Sequence, residues 1–199
     1  MIEKTEIDID ALRKGDREEF ALMVDTYSTK IYRLALRMMG NEQEAEDILQ
    51  ETFLNAYRAL PSFEGRSSLG TWLYRIASNQ ALMRLRKKNP VSISVDDPVI
   101  NDGGDEIPRQ FVDWCCLPEK ELMTTEVVSE LDNALDMLSS NLRTVFILRD
   151  VNGLSTRETA QVLNISEAAV KTRLLRGRLK LRETLSSYFS ERIEEIGYA

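Results

Sequence analysis

The 199-residue chain contains no histidine, only two cysteines and only five prolines. Without histidine it lacks the commonest general base near neutral pH and the commonest zinc ligand. Cys115 and Cys116 are neighbours in sequence, so no disulfide framework is available. Two adjacent thiols make a poor zinc site, and a packed or inert pair is the expectation. The reading is therefore of a protein with no metal, no cofactor and no catalytic activity. No apolar run approaches the ~20 residues of a membrane span. The opening MIEKTEIDID is acidic and has no apolar segment of signal-peptide type, which leads us to expect a cytoplasmic protein. No repeat of solenoid period is present.

Charge is plentiful and unevenly placed. The net value is -7, but residues 1–65 carry -6, 66–90 carry +6, 91–126 carry -7, 127–166 carry -2, 167–182 carry +5 and 183–199 carry -3. Two basic islands lie in an acidic chain. Such islands suit phosphate backbones, while the surrounding acid holds non-specific affinity for nucleic acid low.

The second island belongs to a stretch, Ser155 to Arg182, laid out as a short helix, a tight turn and a longer helix. Ser155 stands three residues before Glu158, the spacing of a capping box. Asn164 suits a left-handed turn position and Ser166 suits the cap of the helix that follows. On that helix Val170, Leu174, Gly177 and Leu181 recur at i, i+4, i+7 and i+11 and mark the packed face. Glu167, Ala168, Lys171, Thr172, Leu175 and Arg176 then fall where a major-groove helix presents base contacts, and Arg173, Arg178, Lys180 and Arg182 fall within reach of phosphates. The plainer alternative is a solvated basic helix.

The remaining sequence is helical on both sides of a tether. Asp16 and Glu19 are spaced as a capping box, and Gly40 ends the periodic run through Ile31, Leu34 and Met38. Asn41 and Glu44 cap a third helix that Pro61 ends. A loop from Ser62 to Ser68 precedes a helix from Leu69 to Lys88. Residues 89–117, with Pro90, Pro98, Pro108, Gly103 and Gly104 among many acids, read as a linker. Pro118 opens another helix, and a further one ends at Gly153. The expected fold is all-α: two small helical domains, 1–90 and 118–190, joined by a flexible acidic linker at 91–117, with a tail at 191–199.

Two segments make the chain resemble the extracytoplasmic-function sigma factors of bacterial RNA polymerase. AEDILQETFLNAYRALPSFEGRSSLGTWLYRIASNQALMRLRKK is similar to that family's second conserved region, and LSSNLRTVFILRDVNGLSTRETAQVLNISEAAVKTRLLRGRLKLRETL to its fourth. The resemblance implies that Asp47, Gln50, Glu51 and Phe53, in a D-x-x-Q-E-x-F pattern, dock on the clamp helices of the polymerase core. It implies that the loop and helix start from Phe63 to Thr71, with Arg66, Ser67, Ser68 and Asn79, capture an extruded base of the minus-ten element on the non-template strand. Arg84, Arg86, Lys87 and Lys88 are then read as contacts to minus-ten phosphates, and the recognition helix as the reader of the minus-thirty-five element. An anti-sigma factor is the implied regulator. A pocket for an unstacked base needs polar edges, an apolar floor and nearby cations, which these residue types supply.

Two rival readings use other features. Gly103-Gly104-Asp105-Glu106 spells the start of a diguanylate cyclase signature, but it sits in a short tether and Ile107 replaces the expected aromatic. A polymerase-independent helix-turn-helix repressor is the alternative function, with residues 1–90 as a dimerisation or sensing domain.

Overall fold

The computed structural model describes the backbone of residues 7–88 and 125–196, and the side chains of residues 7–88 and 131–186. The linker, Cys115, Cys116, the Gly103–Glu106 motif and the helix start at Pro118 lie outside the described residues. All the regular structure among the described residues is helical.

The first unit is built from α1 (Ile9–Arg13), α2 (Arg17–Met39), α3 (Glu42–Ala59) and α4 (Leu69–Lys88). Asp16 caps α2 by accepting from the amides of Glu18 and Glu19. The expected capping box is only half formed. The carboxylate of Glu19, itself buried, accepts instead from the amide of Asp8 at 2.9 Å. Asp8 caps α1, so this bond ties the short first helix to the second and satisfies an acid that burial would otherwise penalise. Gly40 ends α2 at φ 65°, a left-handed geometry that glycine adopts without a Cβ penalty. Asn41 caps α3 through the Glu44 amide. A 3-10 turn at Leu60–Ser62, with Pro61 in it, closes α3. Helices α2, α3 and α4 pack together over Met23, Ile31, Leu34, Met38, Ile48 and Leu73, all fully buried.

The second unit contains α5 (Thr125–Asp136), α6 (Ser140–Phe146), α7 (Thr156–Leu163) and α8 (Glu167–Ile196). The helix expected to run to Gly153 is α-helical only to Phe146; the chain then widens into a π turn at Ile147–Val151. Helix α8 continues to Ile196, beyond residue 190. Its inner face, Val170, Leu174, Gly177 and Leu181, is buried as the spacing predicts.

The sequence pattern does not foretell how the two units meet. Ile147, Leu148, Leu154 and Val162 of the second are buried in one continuous apolar cluster with the core of the first. Helix α7 packs on α4, and the π turn packs on α2.

Candidate nucleic-acid interface

The turn before α8 is made as its residues dictate. The Ser155–Glu158 capping box is complete in both directions, Asn164 takes φ 53°, and Ser166 accepts from the amide of Ala169 at 3.1 Å. These bonds fix the direction in which α8 leaves the turn. Gly177 faces α6, where a Cβ would sit in ordinary contact, 3.7 Å from the Leu142 carbonyl oxygen. With the inner face packed, Glu167, Ala168, Lys171 and Arg176 are exposed, and Thr172, Arg173, Leu175 and Arg178 are half-buried. Arg178, expected near phosphates, is ion-paired. Its guanidinium makes two bonds to Asp150, at 2.8 and 2.7 Å, a fork-to-carboxylate pairing of the strong kind.

The loop after α3 is stapled from below. Arg13 donates from Nε to the Phe63 carbonyl at 2.6 Å, and its guanidinium lies 5.9 Å from the Phe63 ring centre. Phe63 in turn packs on Trp72 with ring centres 4.8 Å apart. Phe63 and Thr71 are therefore buried, Ser67 is half-buried, and Arg66, Ser68 and Asn79 are exposed. Arg66 pairs with Glu64. Thr71 shares a 2.8 Å hydrogen bond with Ser68, and its hydroxyl donates to Glu158 of α7 at 3.4 Å.

The four cations that close α4 divide by helix face. Arg84 turns inward to α3, donating to Asp47 at 3.1 Å and to Glu51 at 2.7 Å, and Lys88 one turn on donates to Glu44 at 2.6 Å. Burial alone would lower the pKa of Arg84; its bonds to Asp47 and Glu51 and their charge outweigh that, and the net shift is upward. Arg84 and Lys88, expected as phosphate contacts, are both ion-paired to α3 in this chain. Arg86 and Lys87 remain exposed. Arg75, another cation of the first basic island, shares an exposed face of α4 with Asn79, Met83 and Arg86. The signal for it was the i, i+4, i+11 spacing of Arg75, Asn79 and Arg86.

On α3, Asp47, Gln50 and Glu51 reach solvent, whereas Phe53 belongs to the core and anchors the helix. Leu54 and Tyr57 extend the solvent face and are more than half exposed, at 57% and 51%. A second cationic edge runs along α2: Lys30, Arg33 and Arg37 at i, i+3 and i+7, in a stretch, residues 26–41, without a single acid. Lys30 lies 5.7 Å from the Tyr27 ring centre.

Known proteins with these features settle the family. The model of sigma-70 region 2 matches residues 23–90 and that of sigma-70 region 4 matches residues 129–181. The ECF RNA polymerase sigma factor SigW of Bacillus subtilis is 41% identical over 177 residues, covering 89% of this chain and 94% of that one. The chain belongs to the extracytoplasmic-function sigma factors. The RNA polymerase sigma-H factor of Pseudomonas aeruginosa is 32% identical over 187 residues, covering 92% and 94% of the two chains. Among solved structures, the fold is similar to the sigma factor RpoE of Bartonella quintana in complex with the anti-sigma factor NepR, with TM-score 0.62, 24% identity, and 85% and 98% coverage. It is also similar to CnrH in complex with the cytosolic domain of CnrY, with TM-score 0.64, 22% identity, and 90% and 95% coverage.

As a sigma factor the protein directs RNA polymerase to promoters and starts transcription there, and the repressor reading falls away. The family is not known as one of enzymes. No helix among the described residues is long and apolar enough to cross a membrane.

Proposed function

We propose that this sigma factor divides promoter recognition between α8 and α4. Lys171 and Arg176 give bidentate contacts to bases of the minus-thirty-five element, with Glu167, Ala168, Thr172 and Leu175 beside them and Arg173 on the backbone. The loop from Phe63 to Thr71, with Arg66, Ser67, Ser68 and Asn79, holds an extruded minus-ten base over the Phe63–Trp72 floor, while Arg75, Arg86 and Lys87 follow the phosphates. Asp47, Gln50 and Glu51 dock on core polymerase, and exposed Leu54 and Tyr57 enlarge that surface with apolar area. Residues 1–90 and 118–190 act as the two functional domains, 91–117 as their tether and 191–199 as the tail. The protein works in the cytoplasm, has no catalysis of its own, and is held inactive by an anti-sigma factor, a reading supported by the similar sigma factor solved in complex with the anti-sigma factor NepR.

The observation that carries the reading is the exposed pair Lys171 and Arg176 on a helix whose opposite face is packed. Strand capture is tested by Asn79→Ala. Permanganate footprinting with core polymerase should show a larger loss of open complex than of closed-complex binding. A template pre-melted at the minus-ten region should rescue only part of the loss, because the unpairing cost of a few kcal/mol is removed but the base contact is not restored. A variant that opens duplex promoters as well as the parent would remove Asn79 from the site.

A further inference from the structure

The acidic first unit has one edge bare of acid. Residues 26–41, the last part of α2 and the turn after it, hold Lys30, Arg33 and Arg37 and no carboxylate. At i, i+3 and i+7 the three lie along one side of the helix. Lys30 and Arg33 are exposed and Arg37 is half-buried. Several other cations of the fold are taken up, since Arg66, Arg84, Lys88 and Arg178 each pair with an acid. Among the described residues, Lys30, Arg33 and Arg37 pair with none. Arg37 stands in the last turn of α2, where a cation offsets the helix dipole. Lys30 and Arg33 stand nine and six residues before Met39, beyond the last turn to which that effect is confined, so the helix itself does not account for them.

This edge starts at the strand-capture loop. Tyr27 lies so close to Gly70, between Ser68 and Thr71, that a Cβ there would come within 3.0 Å of the ring. The Lys30 ammonium sits 5.7 Å from the centre of the same ring, within the range of a cation–π attraction. Glycine at position 70 thus leaves room for Tyr27, and Tyr27 places Lys30 beside the loop. From Lys30 to Arg37 the helix rises about 10 Å, the length of about three phosphates at 3.4 Å per nucleotide. Cations in a row beside an aromatic ring are the composition of a single-strand site. The acids of the surrounding chain, net -7, hold bulk duplex away from such a strip without cancelling its local field.

A captured base has strand on both sides of it. Arg75, Arg86 and Lys87, on the outer face of α4, are assigned to one side. We infer that Lys30, Arg33 and Arg37 form a second phosphate track, which takes the unpaired non-template strand on the downstream side of the captured base. The inference rests on the assignment of strand capture to the Phe63–Thr71 loop.

The test uses holoenzyme assembled from core polymerase and the full chain, on a fork template whose non-template strand runs on unpaired past the minus-ten element. Lys30→Gln, Arg33→Gln and Arg37→Gln together should lower the slope of log affinity against log salt by ~2, the loss of three single-strand phosphates at about 0.7 each. Neutral methylphosphonate links in place of the three phosphates after the captured base should lower the slope of the parent by the same amount and leave that of the variant unchanged. Because Arg37 is half-buried, a variant of the two exposed positions alone, Lys30→Gln with Arg33→Gln, gives an independent reading, a loss of ~1.4. Lys30→Arg with Arg33→Lys keeps the charge and should keep the parent slope. Core affinity should match the parent throughout. An unchanged slope, additive effects of the variant and the neutral links, or a fall in core affinity large enough to explain the loss would each overturn the inference, the last making the edge a polymerase contact. The strand-capture assignment fails separately: Asn79→Ala with intact fork affinity, while the triple variant still loses slope, would remove base capture and keep the track.

Discussion

The two basic islands look alike in sequence and differ in the folded chain. At the end of α4, Arg84 and Lys88 are taken up by Asp47, Glu51 and Glu44 of α3, and in the preceding loop Arg66 is taken up by Glu64. On α8 the acid of the π turn takes Arg178, while Lys171 and Arg176 keep their exposure. The difference follows from helix geometry. Arg84 and Lys88 are four residues apart and share the face that meets α3, whereas Arg86 and Lys87 are rotated outward by the 3.6-residue turn. A run of cations is therefore two sets of residues with separate tasks. One set ties α4 to α3 by ion pairs, and the other faces solvent.

If the open cations of α8 carry base reading, the largest effect should come from them. Arg176→Ala should lose ~1–3 kcal/mol at the minus-thirty-five element and relax base choice there, because a bidentate contact vanishes while phosphate contacts remain. Holoenzyme binding to a library of upstream sequences measures this. Core affinity should stay at the parent value, and an equal fall in core affinity would place α8 on the polymerase rather than on DNA.

The contrast within α4 gives a smaller and more pointed effect. Arg86→Ala should reduce the salt dependence of promoter binding by about one phosphate, a slope change of roughly 0.7–0.9. Arg84→Ala should leave that slope alone and instead weaken core binding, since Asp47 and Glu51 lose the guanidinium that holds them together at i and i+4, where like charges repel by a few tenths of a kcal/mol. Titrations at several salt concentrations separate the two. Identical salt slopes for both variants would erase the division by face.

Much of the local structure was legible because helix caps and periodicity are short-range. Asn41, Gly40, Ser155, Asn164 and Ser166 act where their spacing places them, and the Val170–Leu181 stripe is buried. What was not legible depends on partners distant in sequence. The pairing of Arg84 with acids 33 and 37 positions earlier requires the packing of α3 on α4, and Arg178 meets Asp150 across 28 positions of sequence. The cationic edge of α2 was hidden by averaging, since residues 1–65 sum to -6 although 26–41 hold three cations and no acid. The shared core escaped for a related reason: Leu148, Leu154 and Val162 look like ordinary core residues of their own unit, and nothing in their spacing says which unit they face.

The smallest effect concerns Glu158, where the cap of α7 and the contact to α4 meet in one carboxylate. Hydrogen bonds from the Ser155 side chain and then its amide hold the Glu158 pKa below the ordinary value; partial burial opposes this, and the Thr71 hydroxyl adds to it. A carboxylate whose folded pKa is depressed stabilises the folded chain above its unfolded pKa of about 4.3, and that contribution is lost as pH falls from there through the folded value. Glu158→Gln keeps a side chain able to close the capping box but removes the charge. The parent chain should therefore melt slightly above the variant at neutral pH, by less than ~1 kcal/mol, the size of one cap. The gap should shrink as pH drops below about 4. Thermal melts of both chains from pH 7 to pH 3 follow the difference, and a gap that stays constant across that range would mean that the charge of Glu158 adds nothing to either contact.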